Sequence, residues 1–118
     1  MSDPYKTGLE LIRAERFFDA HEELEIAWRA AAPEERDFLQ GLVHVAVAWY
    51  QAGRGNPVGC ERQLAKARRR LAPYAPEHRG VDVAALLARL DVVEPDLLQQ
   101  AVHGDVQPPR PIEEEQQP

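Results

Sequence analysis

The stretch from Pro33 to Gly53 constrains the fold more than any other. Plotted at about 100° per residue, its apolar side chains run from Val45 through Phe38, Trp49, Leu42, Ala46, Leu39, Tyr50 and Val43 to Val47. They cover an arc of roughly 200°. A helix apolar over more than half its circumference needs neighbours on several sides, so this one sits at the centre of a bundle. Its start is marked by Pro33, whose missing N–H is harmless at the first helical position, and by Glu34 and Glu35, whose charge suits the positive helix end. Gly53-Arg54-Gly55 ends it. The uncharged part, Phe38 to Gly53, is about sixteen residues long and contains Gln40, His44 and Gln51, which is too short and too polar to span a bilayer.

The flanking segments punctuate themselves in the same way. Asp3-Pro4 reads as cap and first helical residue, and predicts a helix to about Ala14. After a break at Glu15-Arg16, a second helix from Phe17 to about Ala31 gathers Phe17, Ala20, Leu24, Ala27, Trp28 and Ala31 on one arc. Asn56-Pro57 starts a fourth, to Leu71 or Ala72, with Leu64, Ala67 and Leu71 as its stripe. Residues 72–80, with Pro73 and Pro76, read as a loop. Asp82 caps a short fifth helix through Ala84, Leu86, Leu87 and Leu90, and Glu94-Pro95-Asp96 opens a last one to Val102. From Gly104 onward, four prolines, three glutamates and three glutamines cannot bury enough apolar surface to offset chain entropy, which predicts a disordered tail over 104–118. Val81 to Val83 is the one β-branched alternation and is too short for a strand. The expected class is all-α: one bundle of five or six helices over 1–103, then the tail.

With 20 acidic against 14 basic residues the chain carries −6, which argues against sequence-independent binding of nucleic acid or anionic lipid. The single cysteine, Cys60, cannot form an internal disulfide, and the first residues hold neither a basic nor an apolar export region, so a cytoplasmic protein is expected.

Candidate chemistry concentrates on the second helix. His21 lies about 20° from Trp28 and about 60° from Leu24, inside the core arc; Glu25 lies about 40° further, at its edge. One turn apart on one face, imidazole and carboxylate either form a pair that locks helix packing or supply two ligands to a divalent metal. The HExxE order lacks the second histidine of HExxH zinc proteases. Glu22 is the candidate general base, and His44, on the polar arc of the third helix with Gln40 and Gly41, the candidate third ligand. That arc either forms a solvated strip or faces the polar edge of the second helix. No histidine has a glutamate three residues before it, which excludes the di-iron pattern, and the single serine, Ser2, leaves no serine nucleophile on a helix. Arg62, Lys66 and Arg69 share a face of the fourth helix and read chiefly as its solvated side.

The run Phe17-Phe18-Asp19-Ala20-His21-Glu22-Glu23-Leu24-Glu25, then Trp28, then Phe38-Leu39-Gln40-Gly41-Leu42-Val43, then Gly55-Asn56-Pro57-Val58-Gly59 and Gly80-Val81-Asp82-Val83, resembles the small bacterial and archaeal proteins grouped as domain of unknown function 309. The resemblance covers roughly Tyr5 to Leu90. It implies a compact all-helical bundle, and it carries the label "predicted metal-dependent hydrolase" that members of the family sometimes bear. Residue by residue it marks His21, Glu22, Glu25 and Trp28 on the second helix and Gln40 and Gly41 on the third. At position 44 the family more typically has glutamine, so His44 departs from the pattern.

Two functional expectations follow. One is a non-catalytic module that packs against a second copy or another protein, with a His–Glu packing lock and no membrane or nucleic-acid partner. The other is a metal-dependent hydrolase centred on His21.

Overall fold

A computed structural model describes residues 3–90. The chain runs through α1 (Pro4–Arg13), α2 (Phe17–Arg29), α3 (Pro33–Gly53) and α4 (Pro57–Leu71). A 3-10 turn (Ala72–Tyr74), β1 (Glu77–His78) and β2 (Val81–Asp82) follow, and residues 83–90 form a further helix, α5. The fold is all-helical apart from that minimal ladder. Among the described residues, no helix is long and apolar enough to cross a membrane. The expected helix from Glu94 to Val102 and the expected tail over 104–118 lie outside the described residues.

The helix starts follow the local chemistry. The Asp3 carboxylate accepts the backbone N–H groups of Tyr5 and Lys6 at 3.1 and 3.3 Å. Asn56 accepts from Gly59 N at 2.9 Å and Asp82 from Ala85 N at 2.9 Å, so α4 and α5 begin on side-chain caps. The break between α1 and α2 is a left-handed stop: Glu15 has φ 62°, and Arg16 N donates back to Leu11 O at 2.9 Å.

The core sits along α3, which packs against α4 on one side and α2 on another, while α1 packs on α2. Phe38, Leu39, Leu42, Val43, Val45, Ala46, Ala48 and Ala52 are all buried. From α2 come Phe17, Ala20 and Leu24, and from α4 Cys60, Leu64, Ala67 and Leu71. Val83 and Leu90 of α5 complete the core, whereas Ala84, expected on that helix's stripe, is exposed.

Two expectations are corrected. Residues 72–80 are not all loop, and the alternation at Val81 does enter a strand: Glu77 pairs with Asp82 and His78 with Val81, antiparallel, around Arg79 (φ 51°) and Gly80 (φ 82°). Consecutive left-handed residues give the twist a two-residue hairpin turn needs, and this local geometry makes a ladder too short for periodicity to signal. At Gly41 and His44 the polar arc of α3 is neither solvated nor turned to α2, although Asp37 of the same arc is exposed and Gln51 lines a cavity beside His21. Gly41 and His44 are buried, and they face α4.

Candidate functional site

His21 is held from its own helix. Its Nδ1 lies 3.0 Å from the Phe18 carbonyl oxygen, which can only accept, so Nδ1 carries the proton. The ring packs on Phe18 at 5.0 Å between centroids, and Phe18 packs on Tyr50 of α3 at 5.6 Å. A small cavity of about 120 Å³ between α2 and α3 is lined by Phe17, Phe18, His21, Val47, Tyr50 and Gln51. The imidazole thus faces the helix seam. Its Nε2 is 3.7 Å from a Glu25 carboxylate oxygen, a contact that is an ion pair only when the ring is protonated.

The pair is half-buried rather than buried: the side chains are 22% and 45% exposed. At the edge of the arc Glu25 keeps part of its hydration, which avoids the cost of burying a carboxylate. Glu22 is exposed. Trp28 is half-buried and carries the Arg36 guanidinium over its ring, 5.2 Å from the centroid.

His44 belongs to a different seam. Its Nδ1 donates to Gln63 Oε1 of α4 at 2.7 Å, and its Nε2 accepts from the Gln40 amide at 3.4 Å. Both ring nitrogens are engaged as a neutral imidazole. Gly41, one turn along, lets α4 approach: a Cβ there would lie 2.6 Å from Leu71 Cγ. The structure therefore brings Gln40, Gly41 and His44 together against α4 and does not join them to His21 and Glu25.

These positions bear on a metal. His21 and Glu25 supply two donors from one helix. His44 offers no third, because its Nδ1 is spent on Gln63 and its Nε2 lone pair on Gln40. Among the described residues, no group of three or more His, Cys, Asp or Glu side chains is placed to hold a metal ion. A protein zinc site takes three or four such ligands, so the residues do not fit one.

Burial pushes the His44 pKa below the ordinary histidine value, and Arg70, Lys66 and Arg69 push it the same way against the opposing Gln63 hydrogen bond. The folded state thus binds this proton less readily than the unfolded state does. Its contribution to stability is full above the unfolded value, about 6.5, and is lost as pH falls below it. His44→Gln removes that dependence. In thermal melts, the stability of the natural protein relative to the variant should fall as pH drops from about 7 to about 5. A difference that stays constant with pH would refute the neutral-imidazole assignment.

A second polar cluster joins α1, α3 and the hairpin. His78 Nε2 lies 2.7 Å from Glu35 Oε1, and Arg79 Nη1 3.8 Å from the same oxygen. The Tyr5 hydroxyl donates to Arg79 O at 2.8 Å, and the Arg79 guanidinium sits 4.1 Å above the Tyr5 ring. Burial raises the Tyr5 pKa, with Arg79 opposing. The His78 ring meets Phe38 edge-on at 4.6 Å and Tyr74 at 4.8 Å. Sequence periodicity does not reach this cluster, because its partners are 43 and 74 residues apart. The one local hint is Glu35 in the first turn of α3.

The arrangement of α2 and α3 can be set beside known proteins. A family model described as Domain of unknown function (DUF309) matches residues 5–63, which takes in α1, α2, α3 and the start of α4. The chain belongs to the DUF309 family. Within the matched region lie every expected site residue: His21, Glu22, Glu25, Trp28, Gln40, Gly41 and His44. The DUF309 chain is also similar to the uncharacterized protein YpuF of Bacillus subtilis (strain 168), with 36% identity over 67 residues. That region is 56% of this chain and 37% of YpuF, so the chain spans little more than a third of that curated relative. No solved structure gives a significant match.

Proposed function

We propose that this DUF309 protein is a non-catalytic helical module that packs against a second copy or another protein, with His21 and Glu25 acting as a lock on the α2–α3 seam. The observation that carries this reading is how His21 is used: one nitrogen bonded to its own helix, its ring against Phe18 and in the α2–α3 seam, the other nitrogen toward Glu25. A ring bonded to its own helix at Nδ1 and held against Phe18 in the seam is placed for packing.

The alternative, a metal-dependent hydrolase with His21 and Glu25 as ligands and Glu22 as base, draws on one observation. Fixing Nδ1 on a carbonyl leaves Nε2 as the free lone pair, which is how ligand histidines are commonly oriented. Two donors remain too few for that reading.

The test is paired. Light scattering over a wide concentration range should show the mass rising as the protein associates. Melting temperature should be unchanged by zinc, manganese or iron, while His21→Ala lowers stability by about 1–3 kcal/mol. A strictly monomeric protein that shows no self-association and recovers no partner would count against the module. Stoichiometric metal that raises the melting temperature and is lost in His21→Ala would replace it with the hydrolase.

A further inference from the structure

On a chain whose net charge is −6, α4 is basic: it carries Arg62, Lys66, Arg68, Arg69 and Arg70 against a single acid, Glu61. Arg62, Lys66 and Arg69 are exposed and, at about 100° per residue, fall within an arc of about 60° on its outer face. Among the described residues, none of the three makes an ion pair. The acids on or paired with α4 do not face them. Asp37 of α3 pairs with Arg70 at 2.6 Å, and Glu61 lies about 80–140° round the helix from the three cations. Their field reaches the seam beneath, where burial first, and then Arg70, Lys66 and Arg69, lower the His44 pKa. One turn before Arg62 on the same face, Val58 is 56% exposed. The strip thus presents an apolar residue and then three positive charges, spaced over about 10 Å from Arg62 to Arg69.

Such a strip matches a short segment in which an apolar residue precedes several carboxylates. The chain contains one. Ile112-Glu113-Glu114-Glu115 holds its longest run of acidic residues, within a stretch, 104–118, that has four acidic residues and one basic. These positions lie outside the described residues. Three extended residues cover about 10 Å, the span from Arg62 to Arg69, and Ile112 then falls at the Val58 end. Ile112 is 22 residues beyond Leu90, a tether that can span up to roughly 70 Å, about three times the length of α4.

We propose that the outer face of α4 is the docking strip for the chain's own segment 112–115, with Glu113, Glu114 and Glu115 on Arg62, Lys66 and Arg69 and Ile112 toward Val58. A single exposed ion pair is weak and screened by salt, but a short tether supplies an effective concentration of about a millimolar, which lets three pairs act together. The contact is made within one chain and is independent of the His21–Glu25 pair. Segment 112–115 thereby competes with any acidic partner for α4.

A carbodiimide, which joins a carboxylate directly to an amine, tests this on the 118-residue chain. Its only lysines are Lys66 on the strip and Lys6 on α1, and both are exposed. In the monomer fraction, peptide mapping should find Glu113, Glu114 or Glu115 joined to Lys66 at least about fivefold more than to Lys6. Raising salt from about 0.05 M to about 1 M should remove most of that excess, because charges are then screened within about 3 Å. Arg62→Gln combined with Arg69→Gln changes exposed positions only, so the helical circular dichroism should persist while the Lys66 product falls to a similar extent. The proposal is overturned if the segment joins Lys66 no more than Lys6, if the yield ignores salt or the two substitutions, or if the product forms only between chains, in the dimer fraction.

Discussion

Replacing Phe38 by alanine should lower stability by about 3–5 kcal/mol. For a domain of this size that corresponds to a melting temperature lower by about 15–30 °C. The side chain is wholly buried at the N-terminal half of α3. Its ring meets Tyr5 of α1 at 6.2 Å, Tyr74 after α4 at 5.4 Å and His78 of β1 at 4.6 Å. Truncation removes the surface on which three separate segments converge, and none can collapse into the void without leaving another partner. The loss should also be local. Backbone amides of residues 77–82 should exchange faster, because their ladder is two residues per strand and leans on this ring. Phe38→Leu, which keeps most of the volume, should cost about 1–2 kcal/mol. Thermal and urea unfolding measure the first effect and hydrogen exchange the second. An alanine variant within 1 kcal/mol of the natural protein would mean that this end of α3 is not core.

That convergence also marks where sequence reading stops. Helix ends were legible because their causes are local: Asp3, Asn56 and Asp82 cap within three residues, and Pro4, Pro33 and Pro57 each open a helix. The central place of α3 was legible because an arc of roughly 200° leaves a helix no other position in a soluble bundle. Periodicity says which residues share a face but not which neighbour covers it. His44 and Gly41 were therefore placed on the right arc of α3 without their partner, which is α4 through Gln63 and Leu71. The cluster of Tyr5, Glu35, His78 and Arg79 is invisible for the same reason: each pair is closed by the tertiary fold across dozens of residues. At the candidate site, the one-turn relation of His21 and Glu25 was readable from spacing. The degree of exposure of Glu25 was not, since it depends on how far the α2–α3 seam extends past the arc's edge.

The covering of α3 by α4 leads to the second large effect. Gly41→Val should destabilise the protein by about 3 kcal/mol, and Gly41→Ala by about 1–2 kcal/mol. Helix propensity alone argues the other way, since alanine is favoured over glycine by about 1 kcal/mol inside a helix. The steric term is larger. A Cβ at position 41 would lie 2.6 Å from Leu71 Cγ and 2.7 Å from its Cδ2, and Leu71 is fully buried, so its side chain has no open space to turn into. The substitution must push α3 and α4 apart along a seam that also holds the His44–Gln63 hydrogen bond. A double-mutant cycle separates this account from a merely local helix effect. Leu71→Ala creates a cavity and costs about 2–5 kcal/mol alone, yet it removes the atoms that a residue at 41 would strike. Gly41→Ala introduced into Leu71→Ala should then be neutral or stabilising, a coupling of at least about 1 kcal/mol between the two positions. If Gly41→Ala stabilises the natural protein by the propensity difference, or if the two changes simply add, the helices do not approach as closely as the bare glycine implies.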